Sequence, residues 1–97
     1  MDKEVILVVD DEKAIRDLIG IYLLNDGYSV IKAVNGVEAL NVLKNSKVDL
    51  IILDIMMPIM DGLKACIKIR EDKNMPIIML SAKSEDMDKI IDRKSVV

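Results

Sequence analysis

The stretch Val5-Ile6-Leu7-Val8-Val9-Asp10-Asp11 decides the architecture. Five apolar residues, most of them β-branched, run without a polar interruption and stop at two acids. A strand with one wet face would alternate; this one reads as buried on both faces, which places it inside a parallel sheet. Its carboxyl end carries the charge.

Working outward, the apolar spacing changes at Ala14 to that of a helix. Ala14, Ile15, Leu18, Ile19, Tyr22 and Leu23 are expected to form its buried stripe, with Lys13, Arg16 and Asp17 facing out and Asp26-Gly27 ending it. Ser29 to Val34 is mixed, with Lys32 inside it, and suits an edge strand. Asn35 followed by Glu38 has the spacing of a capping box, opening a second helix with Ala39, Leu40 and Leu43 inward. Leu50-Ile51-Ile52-Leu53 repeats the opening theme and ends in Asp54. Ile55 to Met60, with Pro58, reads as a loop; Asp61-Gly62 leads into a third helix carrying Leu63, Cys66, Ile67 and Arg70 on related faces. Cys66 reads as a small core residue. Met75-Pro76 opens a fourth strand, Ile77 to Leu80, which ends at Ser81. Ser84 can cap a fourth helix, with Met87, Ile90 and Ile91 inward.

Strand and helix alternate throughout, so the predicted class is α/β, a doubly wound parallel sheet with right-handed crossovers. Ligands of such sheets sit beyond the carboxyl ends of the strands. Asp10, Asp11, Asp54 and Ser81 all fall there.

Composition narrows the chemistry. The chain has 97 residues, 32% charged and 52% hydrophobic, which suits one domain and leaves no material for a second lobe. No apolar run approaches the roughly 20 residues of a membrane span, and Met1-Asp2-Lys3-Glu4 does not open a signal peptide, so a cytoplasmic protein without membrane contact is expected. A net charge of −3 without a basic cluster argues against direct nucleic-acid binding. One cysteine allows no internal disulfide. The absence of histidine excludes the usual zinc sets, histidine-assisted nucleophiles and a phosphohistidine on this chain. A metal here must be a hard cation on oxygen.

Two acids after one strand and a third after another would stand close together if the strands are neighbours, and the repulsion would be relieved by a divalent cation. Magnesium takes one or two carboxylates and keeps several waters and phosphate oxygens. With the cation held by Asp10 and Asp11, Asp54 is available as a carboxylate nucleophile toward phosphorus.

Asp10-Asp11, Asp54, Met57-Pro58 with Met60-Asp61-Gly62, and Ser81-Ala82, in that order, resemble the receiver domain of bacterial two-component response regulators, over about Val5 to Ile91. The resemblance implies a flavodoxin-like sheet of strand order 2-1-3-4, with strand 5 and helix 5 missing. It implies a receiver domain at 1–92, incomplete at its C-terminus, and a tail at 93–97 whose native character the sequence leaves open. Asp54 would accept a phosphoryl group from a sensor histidine kinase. Mg²⁺ (or Mn²⁺) would be held by Asp11 directly, by Asp10 mainly through water, by Asp54 and by the Met56 main-chain carbonyl, and Ser81 would supply the switch hydroxyl. A DNA-binding effector domain, serving transcription regulation, would follow in the full-length protein. The module would be a phosphoacceptor and not itself an enzyme.

The departures are at the C-terminal end. The family's lysine and its switch aromatic have no counterpart; Lys83 and Lys94 do not occupy the lysine's position, and Tyr22 and Tyr28 lie in the first third. Slow phosphorylation is expected, and the alternative is a degenerate or truncated receiver acting as a binding or dimerisation module. A homodimer is expected, through an exposed strand-4 edge or C-terminal exchange. Two other classes fit less well. A haloacid-dehalogenase-type phosphohydrolase needs an acid where Met56 stands. A flavin binder would want a phosphate loop where Asp10 and Asp11 stand.

Overall fold

The computed structural model describes residues 3–54, 62–71 and 73–80. Their order is β1 (Val5–Val9), α1 (Lys13–Asn25), β2 (Ser29–Ala33), α2 (Gly36–Asn45), β3 (Leu50–Asp54), α3 (Gly62–Arg70) and β4 (Ile77–Leu80). All pairings are parallel and the sheet order is β2-β1-β3-β4, as expected. The fourth helix and the tail expected from the sequence lie outside the described residues.

β1 is central because nothing in it asks for water: Ile6, Leu7, Val8 and Val9 are all buried. Alternate residues serve opposite faces. Leu7 and Val9 join Ile51 and Leu53 of β3, Ala33 of β2 and Ile77 of β4 in one core, roofed by Ala39 and Leu43 of α2 and by Ala65 and Ile69 of α3. α1 covers the other face, where Gly20 lies against Val30 and Lys32 of β2. Asp49 fastens the start of the sheet: its carboxylate accepts the Val5 amide at 2.8 Å and its own amide donates to the Val5 carbonyl at 2.8 Å.

Local chemistry sets the helix ends. At α2 the Asn35 side chain accepts the Glu38 amide at 2.8 Å, and the Glu38 carboxylate reaches back to the Val34 amide at 2.9 Å, one residue earlier than in a reciprocal capping box. At the end of α1 the Tyr28 amide bonds the Leu23 carbonyl and the Gly27 amide bonds the Leu24 carbonyl, both at 3.1 Å. That is a Schellman motif, and Gly27 adopts its left-handed conformation with φ 95°.

The structure corrects three expectations about helix faces. On α1 Ile15, Ile19 and Leu23, one residue per turn, are half-buried, while Ala14 is exposed and Leu18 and Tyr22 are 54% and 66% exposed. A single sheet covers a stripe narrower than the apolar face this helix carries, and no other described element lies over the remainder. Arg16 and Asp17 do not simply face solvent; both are half-buried and bonded. Asp17 pairs with Lys13 at 2.7 Å and with Lys32 at 3.0 Å, and these two ammonium partners hold its carboxyl at about 2. On α3, Ile67 is 66% exposed and Ile69 takes the core position. Cys66 is half-buried against the core, close to the expected reading.

Candidate functional site

Register brings the acids together. Val9 is the partner of Leu53 across the β1–β3 ladder, so Asp10 and Asp54 are the next residues on adjacent strands, and neighbouring strands run roughly 4.8 Å apart. One carboxylate oxygen from each of Asp10, Asp11 and Asp54 lies within 4.8 Å of the other two. Among the described residues this is the group of acidic side chains close enough to share a cation. Asp10 and Asp54 are buried, 5% and 6% exposed, and Asp11 is exposed. The sequence placed all three at this end of the sheet, and the structure unites them. Met56 and Ser81 lie outside the described residues; Leu80, the residue before Ser81, pairs with Asp54.

Asp10 is held through both its main chain and its side chain. Its amide donates to the Ala33 carbonyl at 3.2 Å, tying the loop to β2. Its Oδ1 accepts the Glu12 amide at 2.9 Å, which supplies a partner for an amide at the start of α1, where Glu12 makes no side-chain cap of its own. Burial pushes the Asp10 carboxyl above the ordinary 3.8; the Glu12 amide and the Arg16 charge pull the other way, and the charges of Asp11 and Glu12 add to the rise. Three carboxylates this close repel by about 3 kcal/mol per pair at the effective dielectric of a protein surface. Hard oxygen donors, two of them buried, converging from two strand ends, suit a small divalent cation.

Sequence reasoning passed over Arg16. Its Nη1 donates to the Asp10 main-chain carbonyl at 2.8 Å. The available signal was its place one turn inside the helix that follows an acidic loop, because helical side chains lean toward the N-terminus and so back over that loop.

The response regulator receiver domain model matches residues 6–94. The chain belongs to that family. The receiver domain is 49% identical over 85 residues to the regulatory protein VanR of Enterococcus faecium, covering 88% of this chain and 37% of the relative. It is 48% identical over 87 residues to the alkaline phosphatase synthesis transcriptional regulatory protein PhoP of Bacillus subtilis, covering 89% and 36%. The chain thus spans just over a third of the length of these curated relatives. Among solved structures it resembles the response regulator protein TrrA of Thermotoga maritima, in complex with Mg²⁺-BeF, with a TM-score of 0.81 and 40% identity over 95% of this chain and 81% of that one. The chemotaxis protein CheY4 of Vibrio cholerae gives a TM-score of 0.80 at 34% identity, covering 84% and 70%. Fold and family place the chain as the receiver domain of a two-component response regulator, with transcriptional regulators among its relatives. No helix among the described residues is long and apolar enough to cross a membrane.

Proposed function

We propose that the receiver domain accepts a phosphoryl group on Asp54 from the phosphohistidine of a sensor histidine kinase, with a divalent cation held by Asp10, Asp11 and Asp54. The observation that carries this is the convergence of the three carboxylates within 4.8 Å at the carboxyl end of the sheet. Mg²⁺, the ion in the TrrA complex, neutralises charge on the carboxylates and on the incoming phosphoryl group when bound.

The residues of the chain divide the work. The Asp54 carboxylate attacks phosphorus in line; the phosphorus–nitrogen bond breaks, and the departing imidazole nitrogen keeps the electron pair. Burial of Asp54 at the end of β3 excludes competing water. By resemblance, exposed Asp11 would ligate the cation directly, and Asp10, whose Oδ1 accepts the Glu12 amide, would hold it mainly through water. By resemblance, the Met56 carbonyl completes the protein ligands and the Ser81 hydroxyl turns toward the phosphoryl group. Transcriptional regulators among the relatives support a further reading, in which a DNA-binding effector domain would read the phosphorylated state in the cytoplasm.

A Mg²⁺ titration followed by backbone-amide NMR tests the cation site. Amides at Asp10, Asp11 and Asp54 shift at millimolar Mg²⁺, and Asp11→Asn abolishes the response. A spectrum indifferent to millimolar Mg²⁺ would contradict it.

A further inference from the structure

Arg16 is the residue of this site that the chemistry above leaves without a role. It stands one turn inside α1, a position where the helix dipole does not favour a cation. Its side chain is nevertheless drawn back, half-buried, onto the Asp10 carbonyl at 2.8 Å. That carbonyl lies just beyond the last paired residue of β1, so the ladder to β2 and β3 does not satisfy it. Two further bonds hold the same residue: the Asp10 amide to the Ala33 carbonyl and the Glu12 amide to Asp10 Oδ1. The Arg16 amide in turn donates to the Glu12 carbonyl at 3.0 Å, closing the first helical turn. The Asp10–Glu12 loop is therefore stitched to β2 on one side and to Arg16 on the other.

The geometry points to Arg16 as a positioning residue for the cation site: by clamping the Asp10 carbonyl it fixes the directions in which the Asp10 and Asp11 carboxylates leave the loop. The inference rests on reading the three carboxylates as a cation site. Its physical basis is preorganisation, since a loop already ordered loses less freedom when a cation binds. The guanidinium acts in opposition as well, because its positive charge repels a divalent ion. The proposal is that the ordering dominates.

The two contributions separate in Arg16→Met, which removes donor and charge, and Arg16→Lys, which keeps the charge and one donor. In the metal-free chain, hydrogen exchange at the Glu12 amide reports the geometry of Asp10; it speeds up in Arg16→Met and is restored toward its original rate in Arg16→Lys. In Mg²⁺ titrations of the same samples, affinity falls about tenfold in Arg16→Met, the usual scale for removing a group that orients a ligand, and is largely regained in Arg16→Lys. If Arg16→Met does not fold, Arg16→Leu, which likewise lacks donor and charge, takes its place. Unchanged exchange at Glu12 overturns the proposal whatever Mg²⁺ does. So does Mg²⁺ affinity that is unchanged or improved, since a merely structural arginine would lower the unfolding temperature and leave the affinity of the folded chain alone. Failure of the cation reading looks different: the unaltered chain itself ignores Mg²⁺.

Discussion

Asp10 is bonded through its amide, its carbonyl and one carboxylate oxygen, yet its charge is buried beside two other acids. The bonds fix it and the charge disfavours it. Because burial raises its carboxyl above 3.8, protonation suits the folded state better than the unfolded one. The stability Asp10 contributes is therefore present below the ordinary aspartate value and lost as pH rises through its raised one. Asp10→Asn is accordingly expected to stabilise the metal-free chain at neutral pH by about 1 kcal/mol, measured by urea unfolding, while weakening Mg²⁺ binding; gains and costs of this kind are usual where function opposes stability. Cation binding runs the other way with pH, since it needs the carboxylate. Titrations run downward from neutral pH should show Mg²⁺ affinity falling as pH drops through the raised Asp10 value, and Asp10→Asn should lose that part of the dependence.

At the scale of elements, the strands were legible and the helix faces less so. Val5 to Val9 and Leu50 to Leu53 could be read because a strand buried on both faces has no polar alternation to mislead, and Asp10, Asp11 and Asp54 followed from where those runs stop. Periodicity locates a helical apolar face but not how much of it a neighbour covers, and Ala14, Leu18 and Tyr22 were placed inward for that reason. The bond from Arg16 to a main-chain carbonyl depends on the path of the turn, which residue spacing does not specify. Asp26-Gly27 was read correctly as a stop signal, and its geometry gives a test. Gly27 sits at φ 95° with open space around it, so an added methyl group would clash with nothing and only the backbone conformation would be penalised. Gly27→Ala should cost about 1 kcal/mol in urea unfolding, the usual penalty for a left-handed residue with a side chain, and leave Mg²⁺ affinity unchanged. A cost near zero would mean that the Schellman motif does not hold the end of α1.

For the molecule as a whole, the order β2-β1-β3-β4 sets β1 beside β3 and so creates the acidic cluster; β4, last in the order, carries half-buried Ile78, Met79 and Leu80 and no charge. Among the described residues β4 is an uncharged edge, and because such an edge invites pairing we propose that the 97-residue chain forms a homodimer through it. Size exclusion with light scattering should give twice the chain mass, and Ile78→Lys should return a monomer if the edge is the interface; a monodisperse monomer at high concentration would rule the dimer out. The central claim concerns Asp54, and intact mass spectrometry after incubation with a small acyl phosphate and Mg²⁺ tests it most directly. The predicted result is the mass increment of one phosphoryl group, dependent on Mg²⁺ and absent in Asp54→Asn; an unmodified chain, or an increment that persists in Asp54→Asn, would contradict it.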